Sequence, residues 1–391
     1  MNNRYFQTLK YAVFLMTAFL MAACEQGPKS FKPGEIWPDN NGVHINAHGG
    51  GFLFHNNRYY WFGEHKIEGT EGNRAHVGVH CYSSKDLYNW KDEGIALSVV
   101  EDTTSLIVKG CIIERPKVIY NKKNKQFVMW FHHELKDMGY SAALTGVAVS
   151  DKVTGPYVYL ESVNPNAGQW PVNFPDSMKT KTFDMDTIKR WSRDWKQKVK
   201  EGVWLIRDYE RGQMARDMTL FVDDDGTAYH IHSSEQNQTL HIARLNDDYT
   251  GFTGEYARVL EGKANEAPAI FKREDKYYLI SSGCTGWKPN PARSAVADHL
   301  FGPWTELGNP ARGTEEEMKT TFRSQSTFVL PVQGLEDAYI FMGDRWTPEN
   351  AIDGRYIWLP IEFEDSKPVI RWYDEWDLTT FIGFKNNFKK Q

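Results

Sequence analysis

Four short stretches place chemically useful side chains directly ahead of apolar, strand-like runs. They are Glu114-Arg115-Pro116-Lys117, Arg216-Asp217, Glu266-Ala267-Pro268 and Ser324-Gln325-Ser326-Thr327. A fifth stretch, Asn46-Ala47-His48-Gly49-Gly50-Gly51, holds the same place without a carboxylate. A lone Glu in such a setting is ordinarily a surface salt-bridge partner. Recurrence at one phase of a repeat instead asks for convergence on a common axis. There Glu114, Asp217 and Glu266 are expected to raise one another's pKa and keep one carboxylic acid protonated. A proton-bearing acid beside ionised carboxylates is the equipment for breaking a glycosidic acetal.

The elements that must position these residues repeat. A turn signal followed by an alternating aromatic and β-branched run occurs at Asn56-Asn57-Arg58-Tyr59-Tyr60-Trp61 and at Lys123-Asn124-Lys125-Gln126-Phe127-Val128. It recurs at Asp224-Asp225-Gly226-Thr227-Ala228-Tyr229, Glu274-Asp275-Lys276-Tyr277-Tyr278 and Glu336-Asp337-Ala338-Tyr339-Ile340. Each is a β-hairpin pattern. A second element follows several of them, a Ser-containing stretch closing on Asn89-Trp90, Gly155-Pro156-Tyr157 or Gly302-Pro303-Trp304. Five hairpins with a further strand pair each predict an all-β fold, a five-bladed β-propeller with four-stranded blades. A pair of β-sandwiches would not explain the repeated order. The interval from about 165 to 213, rich in Trp, Lys, Arg and Asp, is too long for a blade connection. It reads as an insertion with a short helix between Asp186 and Trp204, expected to wall one side of a pocket.

Composition sets the class. The chain has 391 residues, with 46 Lys+Arg against 51 Asp+Glu for a net charge of −5, and 41% hydrophobic residues. These are globular proportions, and the absence of any basic stripe argues against nucleic acid as a partner. The aromatic share of 14%, with 14 Trp, suits sugar rings as well as cores. Cys81, Cys111 and Cys284 lack metal-site spacing and read as buried thiols. His76 with His80, His132-His133 and Asp223-Asp224-Asp225-Gly226 lack a complete ligand set, and Asp with Gly belongs at a hairpin turn. No metal or other cofactor is expected in the chemistry; a structural cation in the central channel is compatible with the pattern.

The N-terminus reads as an address. Arg4 and Lys10 precede an apolar run from Tyr11 to Ala23, short of the ~20 residues that a spanning helix needs. The run ends in Leu20-Met21-Ala22-Ala23-Cys24, which resembles a bacterial lipoprotein box. Residues 1–24 are therefore expected to be a signal peptide ending at a lipidated Cys24, residues 25–40 a linker, and 41–391 the propeller. Glu25 after the Cys resembles the pattern of lipoproteins bound for a Gram-negative outer membrane, with the lipid the only membrane contact. Ordinary cleavage leaving Cys24 as an incidental thiol is the alternative.

Together, Asn46-Ala47-His48-Gly49-Gly50-Gly51, Gly63-Glu64-His65-Lys66, Glu114-Arg115-Pro116-Lys117, Arg216-Asp217-Met218, Glu266-Ala267-Pro268, Gly283-Cys284-Thr285-Gly286-Trp287, Ser324-Gln325-Ser326-Thr327 and Gly343-Asp344-Arg345-Trp346 resemble glycoside hydrolase family 43. Within it they are most similar to the exo-acting β-1,3-galactanases. The resemblance spans about 41 to 380 and implies inverting hydrolysis on a five-bladed propeller, with a polysaccharide or oligosaccharide as substrate. Most of the family has an Asp at the start of the first blade as general base, where this chain has Asn46-Ala47-His48. In the galactanase branch a Gln in the fifth blade, thought to act as its imidic tautomer, meets that absence, and Gln325 matches it. The resemblance implies Glu266 as general acid, Gln325 as the residue that positions and activates water, and Glu114 as tuner of Glu266 or holder of a sugar hydroxyl. It implies sugar contacts for Glu64, Arg115, Asp217, Asn237 and Thr285, and a stacking platform in Trp287. An α-L-arabinofuranosidase or β-xylosidase activity, or a glycan-binding lipoprotein without hydrolysis, are the competing expectations.

Overall fold

The structure, a computed structural model, describes residues 27–189 and 192–388. The expected signal segment and Cys24 lie outside the described residues. Five antiparallel sheets follow one another along the chain, each with its strands in sequence order from the inside outward. The inner strands are His48–His55, Ile112–Asn121, Met218–Val222, Glu266–Arg273 and Gln325–Pro331. Each packs against its two neighbours, the first also against the fifth, so the ring is closed. This is the five-bladed propeller expected from the repeat. The fifth sheet carries one addition, Ala311–Arg312, paired parallel to its outer strand Lys367–Arg371.

The hairpin signals form the turns they predict. Asn56 and Asn57 have φ of 49° and 57°, the left-handed pair that a two-residue hairpin between right-twisted strands requires. All five of these turns lie on one face of the ring. The starts of the inner strands lie on the other, and the site is built there.

Among the described residues, no strand is exchanged to close the ring. An aromatic core joins the first and last blades, with Trp61, Trp90, Trp358 and Trp376 all buried beside Phe31 and Ile45. Trp358 stands 5.0 Å from Trp61, 4.7 Å from Trp37 and 5.2 Å from Phe52, ring centre to ring centre. The entering chain is fastened here: Phe31 pairs with Trp376, and Asn89 Nδ2 donates to the Pro28 carbonyl at 3.0 Å. Asn89 follows the third strand of the first blade, so these fastenings lie on the hairpin-turn face. Trp358→Ala is expected to cost about 3–5 kcal/mol, because a cavity opens where two blades and the entering segment meet. Equilibrium urea unfolding measures it.

The insertion folds as its own small layer. It holds helices Asp176–Lys179, Trp195–Lys200 and Val203–Arg207; the second is the short helix expected between Asp186 and Trp204, and the other two flank it. Its base is closed by the Gln213 amide donating to the Pro165 carbonyl at 2.7 Å. Phe174 and Leu205 pack on Ala243 and Tyr256 of the third blade, and Trp195, Val199, Val203 and Trp204 cluster above them.

Candidate active site

A backbone device aims the site side chains. Near the starts of the first, second and fourth inner strands the pairing slips, between His48 and Gly51, Glu114 and Lys117, and Glu266 and Ala269. The residue after the first of each pair is left-handed: Gly49 at 59°, Arg115 at 56° and Ala267 at 53°. Such a bulge turns the preceding side chain out of the pleat. Here it delivers Glu114 and Glu266 to the axis. For Arg115 and Ala267, which have a Cβ, the conformation costs about 1–2 kcal/mol each.

Neighbouring groups hold the bulges. The Ala267 amide donates to Asp217 Oδ2 at 2.9 Å, the Arg115 amide to Glu64 Oε1 at 3.0 Å, and the Gly49 amide to Asp344 Oδ2 at 2.8 Å. The side chains surround a pocket of about 260 Å³ whose walls include Glu64, Glu114, Arg115, Asp217, Glu266 and Gln325. Asn237 and Trp287 complete the set of sequence-expected residues found there.

The carboxylates differ sharply. Burial, reinforced by the nearby charge of Asp217, pushes the Glu266 carboxyl up to about 7. Its Oε1 accepts from Asn237 Nδ2 at 2.6 Å and from the Cys284 thiol at 3.0 Å. Glu114 moves the other way. Burial opposes its charge, yet the hydrogen bond and charge of His132 win and bring it to about 2. Its partners are His132 Nδ1 at 3.0 Å and the Tyr140 hydroxyl at 2.5 Å. Glu64 is raised by burial, and the charge of Glu114 adds to this against the 2.6 Å pair with Lys66. The expectation that Glu114, Asp217 and Glu266 all raise one another is therefore corrected. Asp217 raises Glu266, whereas the hydrogen bond and charge of His132 hold Glu114 as an anion.

Arg115 ties the acid side to the amide side. Its guanidinium donates to Asp217 at 3.3 and 3.2 Å, to the Ser326 carbonyl at 3.2 Å and to Gln325 Oε1 at 2.6 Å. The Trp346 indole donates to the same oxygen at 3.1 Å, and Gln325 Nε2 donates to Ser282 Oγ at 2.9 Å. Two obligate donors fix which end of the amide is oxygen. Arginine charge on that oxygen strengthens the C–O⁻, C=N⁺ character of the amide and makes its Nε2 hydrogens better donors.

The first blade supplies no base from its inner strand. Asn46 is spent on the Lys66 backbone in both directions at 2.8 Å. His48 is wholly buried against Tyr356, and its ring lies outside the pocket wall.

Thr285 is also not among the pocket's walls. Its hydroxyl donates to the Lys288 carbonyl and accepts from Asn290, which shapes the loop that carries Trp287. Trp287 is 40% exposed at the rim and meets Trp346 edge to face at 5.8 Å. No described residue of the insertion lines the pocket, contrary to the expectation of a wall.

Glu114, His132 and Asp217 present ligand atoms within 4.8 Å of one another. The donor set does not suit a cation. His132 is pushed up to about 9: burial lowers it, but its hydrogen bonds to Glu114 and Glu134 prevail, so both ring nitrogens carry protons. Asp217 already accepts from Arg115 and Ala267. Of the other His candidates, His80 is tied to His65 and Asp92, and His133 to Ser162.

His132, Tyr140, Arg216, Cys284 and Trp346 line the pocket without having been assigned roles from sequence. His132 was discoverable, since it pairs in register with Glu114 at the end of the second strand, the phase that Glu64 occupies in the first blade. Tyr140 comes from the Leu135–Ala143 connection and carries no repeat signal.

The family model for glycosyl hydrolases family 43 matches residues 167–344. A GH43 β-1,3-galactosidase solved with galactodeoxynojirimycin, BT3683, is 49% identical with a TM-score of 0.86, over 89% of this chain and 100% of that one. An exo-β-1,3-galactanase from Phanerochaete chrysosporium, solved with β-1,3-galactotriose, is 33% identical with a TM-score of 0.72, over 90% and 68%. Another exo-β-1,3-galactanase, from Clostridium thermocellum, is 35% identical with a TM-score of 0.71, over 88% and 66%. A comparison with curated proteins finds no match. With a near-neutral acid, an anion held by histidine and a polarised amide at the head of the blades, and with identity of this extent to its members, the chain belongs to glycosyl hydrolases family 43.

Proposed function

We propose that this glycoside hydrolase removes galactose from the ends of β-1,3-galactan chains with inversion at the anomeric carbon. The observation that carries the proposal is the pairing of Glu266, near-neutral by burial, with a Gln325 amide polarised by Arg115, in a pocket whose first blade lacks a base. The full-length likeness to a β-1,3-galactosidase supports the sugar and linkage. Glu266 gives its proton to the glycosidic oxygen as the bond breaks. Gln325 holds water on the other side of the ring; the proton that this water loses on attack passes to solvent, from which Glu266 is reprotonated, and ionised Glu114 accepts a sugar hydroxyl with Tyr140 beside it. Glu64, Arg115, Asp217 and Asn237 hold these groups and the remaining hydroxyls, and Trp287 with Trp346 gives the ring an apolar corner.

Incubation of the purified protein with linear β-1,3-galactan tests this. Galactose as sole early product, first seen as the α anomer by NMR, is the expected result. Longer fragments, or the β anomer first, would overturn it. A pH profile follows from the acid. Only protonated Glu266 works, so kcat/KM should hold below its raised pKa and fall tenfold per pH unit above about 7. Glu114, at about 2, stays ionised throughout and sets no acidic limb in the working range.

We also propose that Cys24 is lipidated and holds the protein at the outer membrane. The run of small residues before it supports this. Cys24→Ser is expected to move the protein from the membrane fraction to the soluble fraction, and unchanged membrane association would refute lipidation.

A further inference from the structure

We propose that the buried pair Arg258–Glu235, capped by the insertion, is a positioning device for the catalytic acid; this rests on the assignment of Glu266 above. The chain of contacts is continuous. Asn237, whose Nδ2 bonds Glu266 Oε1 at 2.6 Å, ends a turn in which Glu235, Gln236 and Asn237 are all left-handed, with φ of 51°, 60° and 61°. Three such residues in succession, none of them Gly, persist only if something outside the turn holds them.

Glu235 is that anchor. It is 1% exposed, and its Oε1 accepts from Arg258 Nε at 2.6 Å and His241 Nε2 at 3.0 Å, while its Oε2 accepts from Arg258 Nη2 at 2.7 Å.

Arg258 is held in turn by the insertion. Its Nη2 also donates to the Val199 carbonyl at 2.7 Å, at the end of the Trp195–Lys200 helix, where the negative end of the helix dipole favours a cation. The Asn173 side chain brackets the Arg258 backbone, accepting from its amide at 3.1 Å and donating to its carbonyl at 2.7 Å. The Phe174 ring lies 5.4 Å from the guanidinium. The insertion, absent from the pocket wall, thus reaches the acid through four links: Val199, Arg258, Glu235 and Asn237.

The consequence is specific. Asn237 and Cys284 both occupy Oε1 of Glu266, which leaves Oε2 to carry the proton for the leaving oxygen. If the anchor loosens, Asn237 withdraws and the proton is no longer confined to one oxygen. The Asn237 hydrogen bond also favours the ionised acid, so losing it raises the acid's pKa.

The test uses the whole chain in three variants. Arg258→Met/Glu235→Gln removes both charges together, so no unpaired buried charge remains to unfold the blade. Arg258→Lys keeps the charge but not the fork. Asn173→Ala changes an exposed residue and does not threaten folding. Expected for the double variant is a loss of about 10–100-fold in kcat on β-1,3-galactan. An aryl β-galactoside with an acidic phenol leaving group, which needs no acid, should lose less than about threefold. The alkaline limb should move to higher pH. Arg258→Lys should recover part of the loss, and Asn173→Ala should show a smaller loss of the same kind, about threefold.

Equal losses on both substrates with an unmoved limb, or no loss in folded variants, would overturn the proposal. If the wild-type protein releases nothing from galactan, the functional assignment fails separately. The positioning claim is then read from the Glu266 titration by ¹³C NMR, assigned by difference with Glu266→Gln. The double variant must raise that pKa, and an unchanged value rejects the device.

Discussion

Glu266→Gln is expected to lower kcat on β-1,3-galactan by about 10²–10⁴, with KM within a factor of a few. Gln fills the same space and can keep the contact with Asn237, so the pocket should still bind sugar. What is lost is a proton on an oxygen whose burial makes holding that proton at neutral pH favourable. The loss should therefore scale with the basicity of the leaving group, large for a sugar alcohol and small for an acidic phenol. Galactose release with both substrates measures it. Near wild-type turnover on galactan would remove Glu266 from the acid role.

Gln325→Ala should be damaging in a different pattern. The amide is held at both ends by Arg115, Trp346 and Ser282, so its replacement removes an aimed group and leaves Arg115 facing a gap. A loss of about 10²–10⁴ is expected, and it should be similar for galactan and for an aryl galactoside, because attack by water is required with either leaving group. The two variants thus separate the two halves of the reaction. If Gln325→Ala is fully active, water must be held by another group. His48 is a poor candidate, because its ring is buried and does not line the pocket.

The blades were legible because hairpin turns and alternating strands are local. The turn at Asn56-Asn57 and the run Tyr59-Tyr60-Trp61 specify each other over a few residues. The recurrence of Glu114, Asp217, Glu266 and Gln325 at one phase carried over directly, since a propeller sends equal phases to one axis. What sequence did not reveal depends on geometry between blades. That Asp217, heading the third blade, helps push Glu266 of the fourth to about 7 follows from which charge faces which between blades, whereas the His132 that holds Glu114 at about 2 is its partner within one blade. The three carboxylates look equivalent in sequence for that reason. Tyr140 and the insertion escaped for another. Their places are set by irregular connections, where the Glu134 carboxylate accepts from the Ala142 and Ala143 amides and Arg258 gathers the carbonyls of a neighbouring segment.

The fastening of the entering chain between the first and last blades also sets an orientation. Pro28 and Phe31 are pinned on the side of the ring that carries the hairpin turns, while the catalytic groups occupy the opposite side. Only a few residues separate Pro28 from Cys24. A molecule moored to a bilayer at that cysteine would therefore sit turn-side down, like a bowl on a table, with its mouth open to the polymer and away from the lipid.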